Sequence, residues 1–179
     1  MKEIRKLAFF AVVGILLIGF SAQAKAADPM EQQLLVDKAR VTLQSMIMDQ
    51  DMSWLRDNLH GAKGILIIPS LLKGGFIFGG SGGRGVLVLR DEKTGEWSQP
   101  GFYTIGSVTF GLQIGGEAAE VIMYLRTKRA VEKMMASEFK LGGDTSIAIG
   151  PVGAGAKTDV MVDLYSFTRS KGLYGGLNL

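Results

Sequence analysis

Residues 61–90 read GAKGILIIPSLLKGGFIFGGSGGRGVLVLR, and this stretch decides the class of fold. Two apolar runs, residues 64–69 and 85–90, are rich in Ile, Leu and Val and are bounded by glycine or proline. Such runs are typical of buried strands, because branched side chains pack well on a pleated surface. Residues 75–78 predict a further strand, joined to residues 85–90 across a glycine cluster. The stretch therefore predicts β-sheet.

Glycine-rich sequence continues from here to the end of the chain. All but two of the 25 glycines lie at or after Gly61. Glycine inside a strand marks a bulge or a tight bend, because it has no side chain to pack. We therefore expect residues 61–179 to form a curved or barrel-like sheet. Three further strands are predicted in it, at residues 102–114, 145–149 and 158–167.

Helical patterns precede and interrupt the sheet. Residues 30–59 contain no glycine or proline, and their apolar residues recur at three- and four-residue steps, which is typical of one long helix or two short ones. Four methionines give this segment an adaptable apolar face, which suits either the core or contact with lipid headgroups. Packing in the core is the expectation. A further helix is predicted at residues 127–139, with Thr127 as its N-cap.

The first 26 residues have the features of an export signal. Three basic residues precede an uninterrupted apolar run at residues 7–20, shorter than the roughly 20 residues that cross a bilayer. Small residues follow and allow cleavage after Ala24 or Ala26, of which we favour Ala26; an uncleaved anchor is the alternative. The prediction is an exported, periplasmic protein with one mature domain at residues 27–179, for which a position at the periphery of the outer membrane is an option.

Charge and cysteine content exclude several functions. Residues 1–26 hold four of the 20 Lys and Arg residues and one of the 17 Asp and Glu residues, which leaves 16 of each sign in the mature chain. A neutral domain has no net field to attract nucleic acid, so we expect no nucleic-acid partner. The chain has no cysteine, so it is not predicted to be a lipoprotein and its stability must come from burial.

Three glycine-rich segments imitate catalytic motifs. Residues 80–85 match a dinucleotide fingerprint and residues 79–83 a nucleophile elbow, but both motifs require a helix to follow, whereas a strand is predicted. Residues 150–158 nearly spell a phosphate-binding loop, yet Ala156 separates the last glycine from the lysine. The sequence therefore predicts no catalytic residue, no cofactor and no enzyme.

Titratable side chains give no metal or acid–base site either. His60 is the only histidine, and one histidine without other soft ligands does not hold zinc, so we expect it at the surface or beside a helix C-terminus. No spacing among the carboxylates demands a catalytic pair, and each is expected to be solvated; a hydrolase built on such carboxylates is a third-ranked alternative. These carboxylates are Glu117, Glu120, Asp144, Asp159 and Asp163.

An ordered series of short motifs resembles the SYLF domain family. The series runs through AKGILIIP at 62–69, KGGFIFGG at 73–80, GRGVL at 83–87, WSQPGFY at 97–103, GLQIGG at 111–116, GPVG at 150–153, YS at 165–166 and KGLYGG at 171–176. The resemblance implies an α+β fold with a glycine-rich antiparallel core and a lipid-binding function. It also implies eukaryotic relatives that bind phosphoinositides, some of which bind actin, and bacterial relatives that are exported.

These observations lead to one functional expectation and one alternative. We expect a non-catalytic module of the cell envelope that binds phospholipid or a membrane surface, with Lys73, Arg84 and Lys157 as candidate contacts to phosphate. The alternative is a structural or protein-interaction domain without lipid affinity, in which strand edges allow self-association. Actin binding is expected to be implausible for an exported protein.

Overall fold

A computed structural model describes residues 28–75, 78–110, 115–136, 146–151 and 162–171. The three α-helices are α1 (Pro29–Met48), α2 (Ser53–Asn58) and α3 (Lys128–Met135), and short 3-10 helices span Gln50–Met52 and Leu59–Gly61. The six strands are β1 (Gly64–Gly75), β2 (Phe78–Leu89), β3 (Gly101–Phe110), β4 (Gly115–Leu125), β5 (Ile147–Ile149) and β6 (Leu164–Lys171). The predicted export signal and residues 137–145 and 152–161 lie outside the described residues.

The six strands form one open sheet in the order β3-β2-β1-β4-β6-β5. Every neighbouring pair is antiparallel except β5 and β6, which run parallel, so the sheet is mixed. The prediction of an α+β fold with N-terminal helices and one later helix is confirmed. The barrel-like alternative is not: in the described part of the chain, β3 and β5 are the two edges of a sheet that does not close.

The glycine cluster that was expected to join two strands lies inside β2. β1 continues through Pro69 to Gly75, and the register of its pairing with β2 shifts between Ile67 and Ser70. At this bulge β1 comes so close that a Cβ on Gly83 would lie 2.7 Å from the Ser70 carbonyl oxygen. Glycine is needed here for close packing of two strands, and not for a turn.

The N-terminal segment forms two α-helices, α1 and α2, and not the single long helix that was the other expectation. Asp28 caps α1 by accepting a hydrogen bond from the Met30 N–H, and proline occupies the first helical position, where its missing N–H costs nothing. Asp49 then ends α1 and caps the following 3-10 helix. Thr127 caps α3 through the Ala130 N–H at 3.1 Å, as predicted.

Helices cover both faces of the sheet. On the first face, α1 and α2 cover an aromatic cluster in which the Trp54 ring lies 5.4 Å from Tyr124, 5.2 Å from Tyr165 and 5.9 Å from Phe167, centroid to centroid. On the second face, α3 packs through Ala130 and Met134. Such layers bury apolar surface on each side of the sheet, which is the main source of stability. None of the described helices is long and apolar enough to cross a membrane.

Candidate functional site

Helix α1 is apolar on two opposite sides. Its inner side is buried against the sheet through Ala39, Thr42 and Met46. Its outer side carries four apolar residues that are between 51% and 79% exposed. These four residues, which we call the outer stripe, are Met30, Leu34, Val41 and Met48.

The outer stripe is straight and long. At 3.6 residues per turn, spacings of four, seven and seven residues place all four side chains within an arc of roughly 40°, on the side opposite the buried face. With a rise of 1.5 Å per residue, the stripe extends about 27 Å along the helix. Asp37 lies at its middle, and its carboxylate accepts a hydrogen bond from the Gln33 side chain at 3.0 Å. The stripe is thus an exposed apolar ridge with one acidic residue at its centre.

A cleft of about 450 Å³ lies beside the stripe, between α1 and the bulge of β1. Val41 belongs to both the stripe and the cleft, so the two form one continuous surface. The residues that line the cleft are Asp37, Lys38, Val41, Thr42, Pro69, Ser70 and Glu120.

A buried polar contact holds α1 on the sheet at this cleft. Glu120 of β4 is only 3% exposed, and its Oε2 accepts hydrogen bonds from Arg169 of β6 at 3.0 and 2.6 Å. Its Oε1 accepts from the Thr42 hydroxyl of α1 at 3.0 Å, and Arg169 also donates to the Ser45 hydroxyl at 2.6 Å. Both carboxylate oxygens therefore have donors, as a buried charge requires. We call these four residues the polar seam.

Two carboxylates that were expected to be solvated are buried, and that expectation is wrong for them. Glu120 lies in the polar seam, and Asp163 is 8% exposed. The Asp163 carboxylate accepts from the Ser146 N–H and hydroxyl at 3.1 and 2.9 Å and from the Thr127 hydroxyl at 2.9 Å. The Ser146 backbone hydrogen bond, with the two hydroxyls, holds the pKa of Asp163 below its usual value. Both carboxylates join separate elements of the fold.

A second cavity, of about 340 Å³, opens where β1 begins and β2 ends. Beside it, Glu92 bridges Lys63 at 2.9 Å and Lys128 at 2.8 Å, and these two ammonium groups, Lys128 foremost, lower the pKa of Glu92. His60 lies at the surface, as expected, and lines this cavity. We call it the basic-end cavity. Its lining residues are His60, Gly61, Ala62, Lys63, Arg90, Asp91, Glu92 and Gly95.

The residues predicted to contact phosphate do not form one site in the described part of the chain. Lys73 pairs with Ser81 across β1 and β2, and Arg84 lies three residues beyond Ser81. Because side chains alternate along a strand, Lys73 and Arg84 point to opposite faces of the sheet. Arg84 faces α1, where its guanidinium pairs with Glu31 at 3.1 Å. Lys157 lies outside the described residues.

Part of the outer stripe was recognisable from the sequence pattern. The four methionines at the N-terminal helices were expected to favour the core, and the structure divides them: Met46 and Met52 are buried, whereas Met30 and Met48 are exposed. The seven-residue spacing of Leu34, Val41 and Met48 was the available signal, because such a spacing on a helix indicates a contact with another helix.

Comparison with known proteins gives a family, and the names of the relatives state some of their own partners. The family profile described as "Ysc84: Las17-binding protein actin regulator" matches residues 106–179. The SH3 domain-containing protein PJ696.02 of Schizosaccharomyces pombe is 38% identical over 128 residues, which are 68% of this chain and 29% of that protein. No solved structure matches.

Two further relatives agree with this match. LAS seventeen-binding protein 3 of Saccharomyces cerevisiae is 36% identical, over 69% of this chain and 28% of its own length. The human SH3 domain-containing YSC84-like protein 1 is 32% identical, over 66% of this chain and 35% of its own length. The chain thus spans only about a third of the length of these relatives.

The expectation about partners is wrong. It named phospholipid or a membrane surface, with self-association as an option, and held actin binding to be implausible. The matching profile and relatives carry names that state Las17 binding and actin regulation, and others contain SH3 domains. Those names point to proteins as the partners of these relatives.

Proposed function

This chain is a member of the Ysc84 (SYLF) domain family, and on that basis we propose that it is a non-catalytic module that binds a protein partner. The observation that carries the proposal is the outer stripe of α1. A helix that is apolar on both sides normally packs against another element on each of them. Here the inner side meets the sheet, and the outer side is proposed to meet the partner.

The partner segment is proposed to be an amphipathic helix. A straight ridge about 27 Å long matches the apolar stripe of a second helix, which inserts side chains between those of the first. Asp37 at the centre of the stripe favours a partner helix with a basic residue opposite it, because opposite charges set the register of such contacts. The cleft beside Val41 gives room for one large side chain of the partner.

The absence of catalysis is part of the proposal. The buried carboxylates Glu120 and Asp163 each accept hydrogen bonds that join elements of the fold. A general acid or base must instead reach the substrate with a proton to give or take. Their arrangement is that of structural groups, which supports a binding role.

Site-specific photo-crosslinking in the native cells tests the docking surface. A photoreactive phenylalanine analogue is placed at Val41 or at Met48, and at Arg40 as a matched control on the flank of the same helix. The expected result is a covalent adduct with the same protein from both stripe positions and none from Arg40. Adducts with the mass of a phospholipid, or equal adducts from all three positions, would contradict the proposal.

Purified components then measure the interaction. The crosslinked protein is the main probe, and actin filaments and Las17 are added because the names of the family and its relatives state them. Val41→Asp places a charge on the stripe and should weaken binding about tenfold or more, which is about 1.4 kcal/mol. Arg40→Asp is the matched control. Both residues are exposed, so unfolding free energies should change by no more than about 0.5 kcal/mol.

We also propose that residues 1–26 direct export, which would restrict the physiological partner to proteins of the envelope. Crosslinking is therefore done in the native cells. N-terminal sequencing of the protein recovered from a periplasmic fraction should begin at Ala27. Recovery in the cytoplasm with Met1 intact would show that the segment is not an export signal.

A further inference from the structure

The basic-end cavity contains a guanidinium that the local backbone holds in place. The Arg90 Nε donates to the Gly95 carbonyl oxygen at 3.1 Å, and the Arg90 N–H donates to the Lys63 carbonyl at 2.9 Å. Gly95 has a φ of +75°, a left-handed conformation that suits glycine, and a Cβ there would lie 3.2 Å from the Arg90 Nη2. Among the described residues, the Arg90 guanidinium is therefore held by one of its three nitrogens, the Nε.

The turn that positions Arg90 is itself rigid. Asp91 accepts hydrogen bonds from the Lys93 and Thr94 N–H groups, both at 2.8 Å, and the Gly95 N–H donates to the Asp91 carbonyl at 2.9 Å. These backbone hydrogen bonds, first that of Thr94 and then that of Lys93, hold the pKa of Asp91 below its usual value. The Asp91 carboxylate is thus engaged within the turn and does not pair with Arg90.

Arg90 also lines the basic-end cavity. Within the described residues, the two Nη groups of Arg90 have no acceptor at hydrogen-bond distance. A guanidinium presents parallel N–H groups that match the two oxygens of a carboxylate or phosphate. Arg90 is held by its Nε, so its two Nη groups leave an oxyanion-binding edge on a residue that lines a cavity of about 340 Å³.

The local charge distinguishes between the two oxyanions. Arg90, Lys63 and Lys128 are positive, and Asp91 and Glu92 are negative, so these five groups leave a single positive charge. A carboxylate with one negative charge balances it. A phosphate with nearly two negative charges would exceed it and would be repelled by the adjacent acidic groups.

We propose that the basic-end cavity binds a single Asp or Glu carboxylate of a protein segment, with Arg90 as the bidentate donor. Lys63 and Lys128 stay paired with Glu92 and supply charge to the rim of the site. The cavity is built from the ends of β1 and β2 and does not include the outer stripe, so this second contact does not depend on the first. A carboxylate bound here would add specificity to a partner, because a segment with a basic or neutral side chain at that position would leave Arg90 without its acceptor.

NMR titration of the isotopically labelled mature chain tests this proposal. The probe is a short blocked peptide with a single glutamate among neutral residues, compared with the same peptide carrying glutamine at that position and with inorganic phosphate. The expected result is a shift of the Arg90 Nε–H and Gly95 N–H signals with the acidic peptide, which weakens as salt is raised. No shift with the acidic peptide, or tighter binding of phosphate than of the peptide, would overturn the proposal.

Variants connect the signal to Arg90. Arg90→Gln should weaken peptide binding at least tenfold, and Arg90→Lys should weaken it several-fold, because lysine keeps the charge and loses the fork. Arg40→Gln, an exposed arginine on α1, is the matched control and should bind as the unaltered chain does. Arg90→Gln could disturb the turn. The backbone N–H signals of Asp91 to Gly95 in Arg90→Lys are therefore compared with those of the unaltered chain as well. Equal affinity in all three variants would refute the site, and outer-stripe crosslinking would be unaffected by that outcome.

Discussion

Replacing Arg169 with methionine should destabilise the domain strongly, because it leaves Glu120 as a buried charge without its cation. Removing one member of a buried ion pair typically costs about 3–5 kcal/mol. Here the carboxylate is 3% exposed and loses two hydrogen bonds, at 3.0 and 2.6 Å. The Arg169 side chain itself is 29% exposed, so solvent screens part of the effect. We therefore expect a loss of about 3 kcal/mol for Arg169→Met, at the lower end of that range.

Replacing both members of the pair should restore most of this loss. Apolar residues of similar volume avoid the cost of burying two charges. The free energy of unfolding of the double variant Glu120→Leu, Arg169→Met should therefore lie within about 1 kcal/mol of that of the unaltered domain. Thr42→Val is added in a third variant, because the Thr42 hydroxyl otherwise loses its acceptor. With the single variants Glu120→Leu and Arg169→Met, the double variant forms a double-mutant cycle. The effects of substitutions at two residues in contact do not add in such a cycle.

Urea unfolding of the mature domain, followed by tryptophan fluorescence, measures these free energies. Trp54 of α2 is partly buried and packs against the core cluster that α1 also covers, so its fluorescence reports loss of this packing. Trp97→Phe removes the exposed second tryptophan. Arg40→Met on the surface of α1 is the matched control. The reasoning is refuted if Arg169→Met costs less than about 1 kcal/mol, or if the double variant loses as much as the sum of the two single ones.

Three further predictions concern stability. Asp163→Asn should lower the free energy of unfolding by about 1–3 kcal/mol at neutral pH. Because the folded-state pKa of Asp163 is lowered, the stability that its carboxylate contributes is present above the unfolded pKa of about 3.9 and is lost as the pH falls below it. Urea unfolding should therefore show the stability difference between the variant and the parent disappearing in acid, and a difference that stays constant with pH would contradict this. Gly83→Ala should cost about 1–3 kcal/mol, because the new Cβ would lie 2.7 Å from a β1 carbonyl oxygen, whereas Gly82→Ala has its nearest contact at 3.8 Å and should be close to neutral in thermal unfolding. Met46→Ala removes a fully buried side chain and should cost about 2–5 kcal/mol, and equal losses for it and for the exposed Met48→Ala would show that α1 is docked in another orientation.

Local patterns predicted the elements better than their extent. The apolar runs at residues 64–69 and 85–90 are strands because branched side chains favour a pleated surface wherever they occur. The proline at position 69 suggested an end, yet β1 continues, because a bulge accommodates a residue without an N–H. The glycines of β2 suggested a connection between two strands. Their real role, close packing against β1, depends on a neighbouring strand that the local sequence does not contain.

The candidate sites depend on contacts between distant residues. Thr42 and Glu120 are 78 residues apart in the chain, and Glu120 and Arg169 are 49 apart, so no spacing indicates that they meet. Lys73 and Arg84 were chosen as candidate contacts to phosphate, and only the register of β1 and β2 reveals that they lie on opposite faces of the sheet. Arg90 is the last residue of a predicted strand and was not singled out, because its importance comes from the Gly95 carbonyl across the turn.

Both sides of α1 carry apolar residues, so a newly made chain that docked the outer stripe on the sheet would still bury apolar surface. Only the correct side offers Thr42 and Ser45 to Glu120 and Arg169; the inverted helix would bury that ion pair without these two hydroxyls. The hydrogen bonds of the polar seam would then disfavour an arrangement that burial of apolar surface alone would accept.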